Sequence, residues 1–199
     1  MTEDVYPTFS AAIFVLFQRF SDALKLREAS SASTRAYLFG GGAVHLYAGS
    51  RFSSDLDLDI SGLEAAVSRA DVRNAIDDVG YVLYAYDEGT ENMLEIDRNY
   101  NTTFGPLHED YESRATLLWS REDAPLVVML PSREDLAVTK LGRFADHDIA
   151  DILLLLGDPA ASWEVFERLA REASMYYVGN TQDLTSKLNY LRSHMQGGS

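Results

Sequence analysis

The sequence contains no cysteine, which removes disulfides, thiolate metal sites and cysteine nucleophiles and leaves oxygen or imidazole groups to hold any metal. Long hydrophobic runs are missing too. The apolar run from Ala11 to Phe17 near the start falls well short of the roughly 20 residues that cross a bilayer. No cationic segment precedes it, so neither a membrane span nor a leader is expected, and a cytoplasmic location is. Basic residues are scarce: 17 Lys and Arg stand against 31 Asp and Glu, for a formal net charge of −14. Such a balance repels phosphodiester backbones and anionic membranes at long range and disfavours extended nucleic-acid grooves. It does not exclude a single nucleotide, because a divalent ion and a few local cations reverse the field inside a pocket.

What is present suits a folded protein. The 199 residues, 46% apolar and 11% aromatic, suffice for one substantial core and a small helical appendage. Apolar residues from Phe9 to Arg27 recur at helical spacing. Ala36 to Phe39 reads as a short strand, Gly40-Gly41-Gly42 as a tight turn, and Ala43 to Tyr47 as the helix after it. Ser53 to Ile60 alternates polar and apolar residues with period two, the mark of a half-buried strand. Leu63 to Val79 reads as helix, and Tyr81 to Tyr86, Met93 to Tyr100, Ala115 to Trp119 and Leu126 to Leu130 as strands in a mostly antiparallel meander. After Pro131 only helical periodicity remains, in Ser132 to Phe144, Asp146 to Leu156, Ala160 to Ala173 and Thr181 to Met195. Ser132 with Asp135 forms a capping box, and Asp158-Pro159 places a capping residue before proline. Gln196 to Ser199 reads as a frayed tail. The expected fold class is α/β (α+β), with a mixed, largely antiparallel sheet. Residues 1–130 are expected to form the core with its N-terminal helix, and 131–199 a C-terminal helical region packed on it.

Within Asp55-Leu56-Asp57-Leu58-Asp59, strand alternation sends the three carboxylates to one face and the leucines to the other. Neighbouring same-face carboxylates stand about 7 Å apart, close enough for their oxygens to converge on one or two divalent ions. Magnesium suits them, since it accepts a few carboxylates, retains water and takes its other oxygens from substrate phosphates. A pair of such ions clamps the attacking and leaving oxygens of an in-line displacement. A solvated sheet face shows the same pattern. The preceding glycines add to the case, because they let an anion approach backbone amides at a helix N-terminus.

Gly41-Gly42 followed by Asp55-Leu56-Asp57 resembles the signature of the polymerase-beta-type nucleotidyltransferase superfamily. Arg51-Phe52-Ser53-Ser54-Asp55-Leu56-Asp57 is similar to the form found in its bacterial toxin-like branch. The stretch from Leu130 to Ile152, with Lys140, Arg143, Asp148 and Asp151, resembles the helical segment of the AbiE-type toxin nucleotidyltransferases. The resemblance implies a nucleotidyltransferase fold in which Asp55 and Asp57 ligate magnesium and Gly41, Gly42, Arg51 and Ser53 lie along the triphosphate. It further implies that Lys140, aided by Arg143 one turn away on the same helical face, meets the phosphates, and that Asp148 completes the catalytic end while Asp151 is structural. A third carboxylate, for metal binding or as a base, is expected from Asp97 or Glu95. By the same resemblance the activity is magnesium-dependent transfer of a nucleotidyl group from a nucleoside triphosphate to an acceptor hydroxyl. The acceptors it implies are a tRNA end, a partner protein or a small molecule, and an antitoxin protein is an expected partner. The alternative is a catalytically silent member of the fold that binds a partner protein or a nucleotide.

Other candidates rank lower. His45, His108 with Glu109, and His147 show no zinc spacing and read as structural or solvated. No serine sits in a glycine-flanked elbow, which leaves a Ser-His-Asp hydrolase without support. The tyrosines, among them Tyr81, Tyr84, Tyr86, Tyr100, Tyr111, Tyr176 and Tyr177, and Trp119 read as core and rim, with one free to stack a base.

Overall fold

The computed structural model describes residues 4–27, 29, 31–49, 51–61, 67–87, 89–177 and 183–197. The chain divides into two units: Met1–Leu46, Ser50–Tyr100 and Thr116–Leu130 form the first, and Tyr47–Gly49, Asn101–Ala115 and Pro131–Ser199 the second.

The first unit is a seven-stranded mixed sheet backed by helices. Its strands are β1 (Val5–Tyr6), β2 (Thr34–Phe39), β3 (Asp55–Ser61), β4 (Tyr81–Asp87), β5 (Thr90–Ile96), β6 (Thr116–Trp119) and β7 (Leu126–Leu130), in the order β1-β4-β5-β3-β2-β7-β6. The antiparallel pairs β2/β3, β4/β5 and β6/β7 carry most of the paired residues. The pairs β1/β4, β2/β7 and β3/β5 are parallel, so the expected meander is broken by crossovers. Helix α1 (Phe9–Lys25) starts where the Thr8 hydroxyl accepts the Ala11 N–H at 3.1 Å, a cap worth about 1 kcal/mol. It buries Phe9, Ile13, Leu16, Phe17, Phe20 and Leu24 against the sheet and against α3 (Arg69–Val79). The helix expected from Leu63 starts at Arg69, where Ser68 and Asp71 form a capping box, and residues 62–66 lie outside the described residues.

Helix α2 (Gly40–Ala48) follows β2 without an intervening loop, so the three glycines form its first turn rather than a turn before it. The strand expected over Met93 to Tyr100 runs instead from Thr90 to Ile96, because its partner β4 spans Tyr81–Asp87 and the hairpin closes at Asp87↔Thr90.

The second unit, among the described residues, is helical: α4 (Tyr111–Arg114), α5 (Arg133–Lys140), α6 (Asp146–Leu156), α7 (Trp163–Ser174) and α8 (Leu184–Gly197). Ser132 caps α5, its Oγ accepting the Asp135 N–H and donating to Asp135 Oδ2. The fully buried Asp135 carboxylate is also gripped by Arg114 through two bonds of 2.8 and 2.7 Å. Three expected helix limits are corrected. Helix α5 stops at Lys140, before Gly142 and before Phe144, which takes φ 54°; Arg143 therefore sits in the turn and does not share a helical face with Lys140. Helix α7 begins at Trp163, where the Ser162 hydroxyl caps it. Asp158 is engaged elsewhere, accepting the Ala160 N–H and pairing with Arg133. The tail expected from Gln196 continues α8 to Gly197, while residues 181, 182, 198 and 199 lie outside the described residues. No helix of the described residues is long and apolar enough to cross a membrane.

Candidate active site

Strand β3 divides its side chains as its period-two pattern requires: Leu56 and Leu58 are buried, while Asp55, Asp57 and Asp59 lie on the opposite face. Its neighbours extend that face. Across β2 the partners of Asp57 and Asp59 are Phe39 and Tyr37. Across β5 the Cα partner of Asp55 is Glu95. The Glu95 N–H donates to the Ser54 carbonyl and the Asp97 N–H to the Leu56 carbonyl, both at 3.0 Å. One more step of the same ladder therefore stands Asp97 beside Asp57. Both candidates for the third acid share the face, with Glu95 next to Asp55 and Asp97 next to Asp57.

Tyr100 records the field there. Its ring stacks on Phe39 with centroids 5.9 Å apart. Burial, and then the charges of Asp57, Asp59 and Asp97, push its phenol far above the ordinary tyrosine range. Carboxylates gathered about a half-buried ring leave this face strongly favourable to a cation.

The glycines fit the site for separate reasons. Gly40 takes φ 63°, and a Cβ there would lie 1.6 Å from Asp57 Oδ2, so the carboxylate occupies space that only glycine leaves open. A Cβ at Gly41 would meet Ser53 Cβ at 3.1 Å and Arg51 Cγ at 3.6 Å. Gly41, Arg51 and Ser53 are thus packed together. Gly42 looks the other way, toward Leu56, Leu38 and Ile13 in the core, where a Cβ would come within 2.8 Å of Leu56 Cδ2. Its missing side chain serves packing of α2 on the sheet, and only its amide is left for a ligand.

His45 holds the segment leading into β3. Its Nδ1–H donates to the Arg51 carbonyl at 2.7 Å, which leaves Nε2 to accept from the Ser10 hydroxyl at 3.0 Å. Phe9 and Phe52 flank the ring. Burial lowers its pKa more than the carbonyl raises it, which keeps the imidazole neutral and suits this bracing role.

Lys140, Arg143, Asp148 and Asp151 cluster in the second unit. Lys140 Nζ lies 2.9 Å from Asp151 Oδ2 and 4.0 Å from Asp148 Oδ1. Arg143 grips Asp148 with Nε and Nη2 at 2.7 and 2.9 Å, and the Ala145 N–H donates to the same carboxylate at 3.1 Å. Burial pushes the Asp148 carboxyl up, but Arg143, the Ala145 amide and Lys140 together hold it below the usual range. His147 also borders this pair. Elsewhere in this unit, Thr102, Thr103, His108, Tyr111, Tyr176 and Tyr177 line a cleft of about 320 Å³. The His108 Nδ1 accepts the Asp110 N–H, and its Nε2 stands 2.9 Å from Glu172.

A family described as nucleotidyltransferase of unknown function (DUF6036) matches residues 15–196. The chain belongs to this nucleotidyltransferase family. Among solved structures the chain matches that of the antibiotic-resistance factor ANT(2'')-Ia, described as revealing substrate-regulated conformation dynamics. It is 15% identical, with 94% of this chain and 100% of that chain covered and a TM-score of 0.48. No curated protein matches the sequence.

For a nucleotidyltransferase the donor set of the β3 face is chemically apt. Among the described residues no three carboxylate or imidazole side chains already converge as a metal site. Magnesium does not require that, because it is bound through one or two carboxylates and completed by water and substrate phosphates. Asp57 in the Gly40 cradle, with Asp55 on one side and Asp97 across the ladder, supplies hard oxygen donors on one face. Two features escaped the sequence reading. Gly40, as the first residue after β2, carries the cradle, and its place directly after the apolar run was the available signal. Tyr100 comes three residues after Asp97, and nothing local in the sequence marks its stacking on Phe39.

Proposed function

We propose that this nucleotidyltransferase binds a nucleoside triphosphate together with magnesium on the Asp55, Asp57 and Asp97 face and transfers its nucleotidyl group to an acceptor hydroxyl. The observation that carries the reading is the Asp57 carboxylate seated against Gly40, flanked by two further acids and opening beside the N-terminus of a helix. One or two bound magnesium ions would neutralise phosphate charge there and polarise the reacting phosphorus. Asp55 and Asp57 would hold the ions, with Asp97, or Glu95 in its place, completing the set. The Gly41 and Gly42 amides, at the positive end of α2, and the Arg51 and Ser53 side chains orient the phosphates. The acceptor oxygen bonds to the α-phosphorus, the bond to the bridging oxygen breaks, and pyrophosphate leaves. Asp97 takes the acceptor proton. Catalysis on this scheme is positioning and charge neutralisation.

Lys140, Arg143 and Asp148 are proposed to act on the nucleotide by sequence resemblance alone, since the pairing described above gives each a structural task. The finer likeness to AbiE-type toxins and an antitoxin partner rest on the same segment. Co-expression with a neighbouring-gene product tests them: relief of growth arrest supports the toxin reading, and absence of any arrest removes it.

One observation favours a second reading, a silent member of the fold. The Asp97 Oδ1 already accepts the Asn99 N–H at 2.8 Å, so one oxygen of the proposed base is engaged in the turn after β5. Melting curves with each nucleoside triphosphate, with and without magnesium, followed by transfer of α-phosphate label to acceptor fractions, separate the two. Magnesium-dependent stabilisation with label transfer supports the enzyme, stabilisation without transfer in any fraction supports the silent protein, and no stabilisation by any triphosphate defeats both nucleotide readings.

A further inference from the structure

The register of β1, β4 and β5 carries the carboxylate face outward onto an exposed apolar patch. Val5 pairs with Leu83, and Leu83 with Met93, forming one row across three strands. Tyr81 pairs with Glu95, and Glu95 with Asp55, forming the next row. Val5 on the edge strand, Tyr81 on β4 and Met93 on β5 are 39%, 41% and 43% exposed, an apolar patch shared by three adjacent strands. The opposite face is the core one, where Val82, Tyr84, Leu94 and Ile96 are buried. Along β5 the order on the open side is Glu91, Met93, Glu95, and none of the positions that β1, β3, β4 and β5 place on this side is Lys or Arg.

We propose that this patch is the docking surface for the acceptor, and that the acceptor is a basic peptide segment of a protein, with an apolar residue between two cationic ones at strand spacing. The proposal rests on the nucleotidyltransferase reading for the word acceptor, but its binding test does not. Charge complementarity selects the occupant: acids about 7 Å to either side of Met93 match Lys or Arg two residues before and after an apolar side chain. The face spans three strands, about 10 Å. That favours an extended segment, whereas a small cation would leave the Val5–Leu83–Met93 row uncovered. Glu95 stands at the junction, next to the acids that hold the nucleotide, so a peptide lying along β5 brings a hydroxyl-bearing residue at its end toward Asp55.

Three twelve-residue peptides test this by fluorescence anisotropy on the full chain: repeats of Lys-Ser-Leu-Ser, of Glu-Ser-Leu-Ser and of Lys-Ser-Ser-Ser, with spermine as competitor. The first should bind at least about tenfold more tightly than the others, and the Met93→Ser and Glu91→Lys variants should each lose that preference. Spermine should displace it poorly. Equal binding of the three peptides, a preference that survives in both variants, or displacement by low spermine concentrations would overturn the proposal, the last in favour of a small polycation. Magnesium-dependent triphosphate binding is measured on the same samples. If it is intact in both variants they are folded, and failure of the peptides alone removes the docking surface. Its absence from the wild type would instead remove the nucleotidyltransferase reading.

Discussion

The Asp57 carboxylate stands where a side chain at position 40 would be, since a Cβ on Gly40 would lie 1.6 Å from Asp57 Oδ2. The first residue of α2 and the middle acid of β3 are therefore one steric unit. Gly40→Ala must move Asp57 as well as strain a backbone at φ 63°, a conformation costing about 1–2 kcal/mol for a residue with a Cβ. We expect that loss in urea unfolding together with at least about a tenfold loss of magnesium-dependent triphosphate affinity. Unchanged affinity in a folded variant would separate Asp57 from the nucleotide.

Gly42→Ala should behave in the opposite sense. Its Cβ would press on Leu56, which is fully buried, and overpacking of this kind costs about 1–3 kcal/mol. Stability should fall while nucleotide affinity in the folded fraction stays within about twofold, as read by unfolding and calorimetry side by side.

Asp97 and Glu95 are to be told apart by conservative variants. Asp97→Asn should lower label transfer by at least about a hundredfold, the scale of a lost general base, and Glu95→Gln should leave transfer within a few-fold. The reverse ranking would hand the third-acid role to Glu95.

Arg114 secures the buried Asp135 with two bonds. Arg114→Ala leaves that carboxylate with the Ser132 cap alone, and breaking a buried pair from one side costs about 3–5 kcal/mol. A midpoint shift in denaturant of that size is expected, and a shift below about 1 kcal/mol would show that solvent replaces the guanidinium.

Asp148 links stability to pH. Its folded pKa is lowered, because Arg143 and the Ala145 amide outweigh burial. Its contribution is therefore fully present above the unfolded carboxylate value of about 3.9 and is lost as pH falls through the lower folded value. Asp148→Asn should flatten the acid limb of the stability curve below about pH 4 relative to wild type, and an unchanged limb would contradict the pairing.

Much of this architecture is written locally. The alternation Asp55 to Ile60 defines β3 and its two faces, Leu126 to Leu130 is a strand at the limits its apolar run indicates, and the α1 pattern gives its buried stripe directly. Non-local features were out of reach. Strand β1 has two residues and exists through its pairing with β4. The start of α7 was expected after Asp158-Pro159, but Arg133 and the Ala160 amide hold Asp158 and the Ser162 hydroxyl caps the helix instead. Whether Asp97 or Glu95 adjoins Asp57 depends on the register of β5 against β3, strands forty residues apart in sequence with β4 between them. A slip of two residues keeps every side chain on its own face, so the hydrophobic pattern does not choose between the two acids. The same holds for the row Val5–Leu83–Met93, which joins three separate segments.

The most direct test of the central claim is calorimetric titration of each nucleoside triphosphate, with and without magnesium, into the wild type and the Asp55→Ala/Asp57→Ala double variant. The proposed site predicts saturable binding of at least one triphosphate that needs magnesium and vanishes in the folded double variant. Binding that persists in that variant, or that ignores magnesium, would contradict it.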